Sequence, residues 1–179
     1  QSVKLEKIKY KIDDFAFLEN IHNPSVKELT FNVTAEDKDV ELFKAMNRMF
    51  TNLTRITFSS EESEDTDSCK CFDAGTNLDK LTSLTILNSS VRSLVNIYAN
   101  NLQEFEYAPG KTGEYIDDFI GGFLHRHRSI KRLVIGSKTA RSCSYFFVSY
   151  NLCQVIVNFL HHLESIVIFN FAEVNKSVK

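Results

Sequence analysis

The sequence predicts an α/β repeat fold, a solenoid whose short parallel strands line a concave side while helices return along the convex side. Three observations carry the prediction. An apolar six-residue pattern recurs seven times within 179 residues. Successive copies start 21, 27, 28, 21, 28 and 33 residues apart. The longer intervals between copies show helical periodicity. A period of this size marks an array in which each unit supplies one supersecondary element and cannot bury its apolar face alone.

The pattern is an apolar residue, two free positions, an apolar residue, one free position and a final apolar residue. Its fourth and sixth positions are two apart, so both point to one side of a short strand and the fifth points to the other. The first copy is Leu5-Glu6-Lys7-Ile8-Lys9-Tyr10 and the second Val26-Lys27-Glu28-Leu29-Thr30-Phe31. The return that follows carries Val40, Phe43, Met46, Met49 and Phe50 at three- and four-residue steps. Its acids lie early and Arg48 late, as the helix dipole prefers, so a helix is expected over Asp39 to Phe50. Leu53-Thr54-Arg55-Ile56-Thr57-Phe58 is the third copy. After it, the self-repelling run Glu61-Glu62-Ser63-Glu64-Asp65-Thr66-Asp67 predicts a projecting loop.

Leu81-Thr82-Ser83-Leu84-Thr85-Ile86 is the fourth copy. The next return, Asn88 to Asn101, is too short for a full helix, and Val91, Leu94 and Ile97 fit a compact turn or one helical turn. Leu102-Gln103-Glu104-Phe105-Glu106-Tyr107 follows. Tyr115 to His127 then repeats the helical stripe with Tyr115, Ile116, Phe119, Ile120, Phe123 and Leu124, and Arg126 and Arg128 close its end. Gly121 and Gly122 weaken that helix by about 1 kcal/mol each, so burial has to hold it. The sixth copy is Ile130-Lys131-Arg132-Leu133-Val134-Ile135. A long apolar helix is expected over Ser144 to His162, which accounts for the wide last interval before Leu163-Glu164-Ser165-Ile166-Val167-Ile168. No capping helix with a polar outer face follows, so an exposed apolar end is expected. Pro24 and Pro109 fall in connections, and no Pro/Gly linker divides the chain. Residues 1–179 therefore read as a single domain of about seven irregular repeats. The start at Gln1, without Met or a signal segment, reads as a fragment of a longer protein.

Composition narrows the function. A net charge of -2 and a pI near 6.2 lack the cationic excess that a nucleic-acid partner favours. The most apolar run, Tyr145 to Leu163, is broken by Ser149, Asn151, Gln154, Asn158 and two histidines, so no membrane insertion is expected. Cys69, Cys71, Cys143 and Cys153 lack a paired framework and read as reduced, mostly buried thiols. Cys69 and Cys71 could give two metal ligands, but nothing nearby completes a tetrahedral set. His125 and His127 flank Arg126, and His161-His162 end a helix. Both pairs read as cations at helix C-termini, since neither has the i, i+4 spacing of a zinc helix. The adjacent carboxylates Asp13-Asp14 and Asp117-Asp118 diverge by about 100° on a helix and share no substrate. Gly110-Lys111-Thr112 lacks the preceding glycine of a phosphate loop, and no Gly-x-Ser-x-Gly elbow occurs. Neither an enzyme nor a cofactor is expected.

A partner site is predicted by the strand geometry instead. The third and fifth positions face away from the core and form two columns: Lys7 and Lys9, Glu28 and Thr30, Arg55 and Thr57, Ser83 and Thr85, Glu104 and Glu106, Arg132 and Val134, Ser165 and Val167. The first three turns lean basic, the fifth is doubly acidic and the last two grow apolar. Such a patterned surface suits a protein partner of mixed charge. The competing reading is an ordinary solvated face. A third assigns function to the acidic loop Glu61 to Asp67.

Leu42-Phe43-Lys44-Ala45-Met46-Asn47-Arg48-Met49-Phe50-Thr51-Asn52-Leu53 runs from helix through a short turn into a strand. Phe119-Ile120-Gly121-Gly122-Phe123-Leu124-His125-Arg126-His127-Arg128-Ser129-Ile130 has the same grammar. These segments resemble the irregular, helix-containing leucine-rich repeats of F-box proteins, and the resemblance spans nearly the whole chain. It implies a horseshoe-like leucine-rich repeat solenoid that recognises a substrate, while a separate F-box docks on the adaptor of a ubiquitin ligase. No F-box helices are legible here, so the ligase connection is an analogy. The chain also departs from the regular cysteine and asparagine columns of many such repeats: the position after the strand holds Lys11, Asn32, Ser59, Leu87, Ala108, Gly136 and Phe169. The resemblance implies an intracellular site, cytoplasm or nucleus. Sequons at Asn32, Asn52, Asn88 and Asn175 keep open a secreted or receptor-type ligand-binding domain.

Overall fold

The computed structural model describes residues 7–12, 23–33, 50–60, 76–89, 97–109, 117–136, 146–147, 150–169 and 171–172. The main sheet holds seven strands: β1 (Lys7–Ile12), β2 (Glu28–Val33), β3 (Arg55–Ser60), β5 (Ser83–Ser89), β7 (Glu104–Pro109), β8 (Arg132–Ile135) and β10 (Ser165–Ile168). They lie side by side in chain order and all pair in parallel. Each begins at the third position of one copy of the repeated pattern. A parallel neighbour needs a crossover, and the sequence supplies a return of fifteen or more residues between copies.

Two smaller parallel pairs join β4 (Thr76–Asn77) to β6 (Ile97–Tyr98) and β9 (Phe146–Phe147) to β11 (Phe171–Ala172). The second pair corrects one sequence expectation: the long last helix expected over Ser144 to His162 is described as Tyr150–Phe159, preceded by β9. The return from Asn88 to Asn101 holds the end of β5 and the strand β6, and Val91 and Leu94 of its expected turn lie outside the described residues. Two-residue pairings between neighbouring returns leave no periodic trace in the sequence, which is why the pattern hid them. The helices are α1 (Asp117–Arg126) and α2 (Tyr150–Phe159). The helix expected over Asp39 to Phe50, the acidic loop, Asp13-Asp14, Gly110 to Thr112, Asn175 and Cys69, Cys71 and Cys143 lie outside the described residues, apart from Phe50.

One backbone device recurs at every described turn. The first-position N–H donates to the carbonyl three residues before it: Val26 to Asn23, Leu53 to Phe50, Leu81 to Leu78, Leu102 to Ala99, Ile130 to His127 and Leu163 to Leu160, at 2.9–3.3 Å. The second-position carbonyl of each copy, from Lys27 through Thr54, Thr82, Gln103 and Lys131, then accepts two N–H groups from the next copy at 2.7–3.1 Å. These bonds set the stagger between turns and lead the strands into the sheet in register; the shift between Leu87 and Ser89 comes at the far end of β5, against β7.

Side chains at the first, fourth and sixth positions form the core. Leu29, Ile56, Phe58, Leu84, Ile86, Phe105, Tyr107, Leu133 and Ile135 are all buried in one cluster with Ile120, Phe123 and Leu124 of α1 and Leu152 and Ile156 of α2. Phe123 stacks between the sheet and the helix end, its ring centroid 4.4 Å from Phe105 and 4.0 Å from His127. The helices thus cover one face of the sheet. α2 rotates Leu152 and Ile156 inward at an i, i+4 step, which leaves Cys153 and Val157 exposed. Cys153 is therefore not the buried thiol expected, because helix phase turns it outward. On β10, Ile166 is 44% exposed, whereas its register partner Leu133 is fully buried.

α1 meets α2 at Gly121, where an added Cβ would lie 3.6 Å from Val155 Cγ2, an ordinary packing distance; at Gly122 the nearest atom would be Arg126 Nη1 at 3.8 Å. Neither glycine is required by a close approach. Gly122→Ala should therefore raise stability by about 0.5–1 kcal/mol through helix propensity and a less flexible unfolded chain. Urea titration would read this as a higher midpoint, and a lower one would mean the site has no room. Gly136 differs: its φ of 84° lies in the left-handed region, and its N–H donates 2.7 Å to Tyr107 O where the chain leaves β8.

Candidate interaction surface

The register aligns the two outward columns residue for residue. Lys7, Glu28, Arg55, Ser83, Glu104, Arg132 and Ser165 share one row across the seven strands, and Lys9, Thr30, Thr57, Thr85, Glu106, Val134 and Val167 share the other. Alternation along each strand puts both rows on the sheet face opposite α1 and α2. The backbones of Lys7 and Lys9 lie at the β1 end of those rows. Within the described side chains, Arg55 and Arg132 are exposed, and Glu28, Thr30, Thr57, Thr85, Glu104 and Glu106 are half-buried.

A chain of charges runs along the first row. Arg55 Nη1 lies 3.4 Å from Glu28 Oε1 on β2, and Arg55 Nη2 lies 3.8 Å from Glu104 Oε2 on β7. The second contact skips a strand, because Ser83 of β5 sits between them in register. Ser83 is only 6% exposed for that reason: the flanking Arg55 and Glu104 are long enough to meet across it. It supports the face without offering surface of its own, a correction to its place among the expected contact residues. In the second row Val134, also expected to face a partner, is 2% exposed, a short side chain standing between Glu106 and Val167. The ion pairs are largely solvated, worth about 0–1 kcal/mol each. Their effect is to order the face.

A depression of about 230 Å³ opens at the middle of the sheet, lined in part by Arg55, Ser83, Thr85, Glu104, Glu106 and Arg132. Burial pushes the Glu106 carboxyl above its usual range, and the Arg132 guanidinium only partly opposes this. Neither residue has an ion-pair partner within 4 Å among the described residues.

At the rim, the turns that lead into the strands are tied by their own side chains. Asn52 Nδ2 donates to Pro24 O at 2.9 Å, Asn101 Nδ2 to Asp79 O at 2.6 Å and Ser129 Oγ to Asn100 O at 3.1 Å. Each occupies the residue just before a copy and reaches the preceding turn. Lys80 Nζ, at the same place in the intervening turn, donates to Asn52 Oδ1 at 2.9 Å. A polar residue before each first position was the available sequence signal for this ladder.

His127 departs from its expected role as a solvated helix-end cation. It is 2% exposed, with Nδ1 2.8 Å from Phe123 O and Nε2 3.1 Å from the Ala99 N–H. The Ala99 donor requires an unprotonated Nε2, so the neutral Nδ1–H tautomer bridges two turns. Sequence reasoning missed this because His127 holds the place, three before the copy, that Phe50, Leu78, Ala99 and Leu160 fill in other turns, all of them buried. His125 stays exposed at the helix end, edge-on to Phe159 of α2 at 4.4 Å.

No group of three or more metal-ligating side chains occurs among the described residues, and no helix there is long and apolar enough to cross a membrane. No protein-family model matches the chain, and no curated protein matches it.

Proposed function

We propose that this chain is a leucine-rich repeat solenoid that works as a non-catalytic scaffold for binding another protein. One observation carries the reading: two in-register rows of polar and charged side chains cross the sheet face opposite the helices. Parallel strands in chain order, an identical hydrogen-bonded turn before each of six copies and a single continuous core favour stacked repeats over a wound α/β sheet, in which strand order reverses. The functional analogy is substrate recognition for an F-box ubiquitin ligase in the cytoplasm or nucleus, with docking on the ligase adaptor left to an F-box elsewhere.

Affinity capture from cell extract, run with the wild-type chain and with a variant carrying Lys7→Glu, Arg55→Glu, Glu104→Lys and Glu106→Lys, tests the proposal. Circular dichroism first establishes that both are folded. A protein retained by the wild type and lost by the variant supports the face as the site. Equal retention places the site elsewhere, on the helices or the acidic loop.

A further inference from the structure

If the open sheet face is a protein-binding surface, its charge pattern also selects the kind of segment it can take, and the selection rests on that reading of the face. Of the five charged side chains described there, two stand outside its internal ion-pair chain. Glu28, Arg55 and Glu104 satisfy one another across three strands. Glu106 on β7 and Arg132 on β8 do not join them. They are diagonal neighbours, since Glu106 pairs in register with Val134, two residues beyond Arg132. Such a diagonal spans about 7–8 Å, within reach of long side chains, yet the two form no ion pair within 4 Å, and Arg132 acts on Glu106 only through its charge. Both border the same depression, which Thr85 also lines.

We infer that this depression receives an extended segment of a partner protein bearing a cationic and an anionic side chain two residues apart, the cation set on Glu106 and the carboxylate on Arg132. The spacing is a matter of geometry. Alternate residues of an extended chain point the same way and are about 6.6–6.8 Å apart, which matches the diagonal. The signs are a matter of complementarity, and opposite charges steer and register such a segment. Partial desolvation, which already raises the Glu106 carboxyl, makes a cationic partner there more valuable than at an exposed carboxylate. A uniformly acidic segment would be repelled by Glu104 and Glu106, and a uniformly basic one by Arg55 and Arg132. The short side chain of Thr85, half-buried beside Glu106, leaves room for the segment to approach the sheet.

A random dodecapeptide library displayed on phage and panned on the wild-type chain, with the hits then assayed on variants that include Glu106→Gln and Arg132→Gln, provides the test. Recovered peptides should be enriched in Lys or Arg two residues from Asp or Glu. Each single substitution should weaken the binding of a synthesised hit about tenfold, and the exchanged pair Glu106→Arg/Arg132→Glu should prefer peptides with the two charges exchanged. Hits that bind the single variants as well as the wild type, but are lost on Thr57→Arg or Thr85→Arg, overturn the charge pairing while leaving the face as a binding surface. Hits indifferent to all four positions, or no hits that depend on the face, overturn the pairing and count against the face as well. Circular dichroism of each variant excludes loss of fold as the cause.

Discussion

Phe123→Ala should destabilise the chain by about 3–5 kcal/mol, a large share of the roughly 5–15 kcal/mol that holds a domain folded. The ring is fully buried and contacts Phe105 of β7 on one side and His127 on the other. Truncation removes the transfer energy of a phenyl group, leaves a cavity between sheet and helix and ends two ring contacts worth about 0.5–1.5 kcal/mol each beyond burial. The damage reaches beyond α1, because Phe123 belongs to the one core cluster that the strands and both helices share. Guanidinium titration should show a much lower midpoint, and Phe123→Leu, which keeps most of the volume, a smaller drop. A loss below about 1 kcal/mol for the alanine variant would mean that α1 does not pack on β7 as described.

His127→Ala is expected to cost about 2–4 kcal/mol, because it leaves the Ala99 N–H unsatisfied inside the core and opens a ring-sized void. The wild-type histidine also makes stability depend on pH in a definite direction. Burial is the main cause that lowers its pKa below the usual 6.5; the backbone bond to Phe123 opposes this, and the Arg126 charge adds to the lowering. The folded state therefore holds this imidazole neutral below the pH at which the unfolded chain begins to protonate it. Its contribution is complete above about pH 6.5 and is lost as pH falls through the depressed folded value, at up to about 1.4 kcal/mol per pH unit. Protonation puts a second donor against the Ala99 N–H, which is the structural form of the same penalty. Urea titrations at pH 8, 6 and 5 should show a decline between pH 8 and 5 that is shallower in His127→Ala. The same slope in both proteins would assign the decline to other groups.

The strands were legible because their signal is local and repeated. Leu53, Ile56 and Phe58 recur in kind as Leu81, Leu84 and Ile86 and again as Leu102, Phe105 and Tyr107, and each set is buried together. The two outward rows came from the same alternation, and the register bears out their alignment from Lys7 to Ser165. Periodicity also placed α1 within one residue at its C-terminal end; its expected first residues, Tyr115 and Ile116, lie outside the described residues. It overextended α2, because Tyr145 to Tyr150 is apolar enough to continue a helix, whereas Phe146–Phe147 pairs with a strand on the next return. Composition cannot separate a buried helix from a short buried strand in so few residues.

By itself, the sequence determined the α/β class, the parallel strands at their third positions and which side chains face away from the core, since these depend on spacing along one chain. Only the tertiary structure decided which outward residues remain available. Ser83 is hidden because Arg55 and Glu104 join over it from two strands apart, and Glu106 and Arg132, diagonal neighbours in the register, form no ion pair with each other. His127, polar in sequence, became a core residue because a neighbouring turn presents an N–H at hydrogen-bond distance. Those outcomes depend on distances between residues far apart in the chain, which no local pattern encodes.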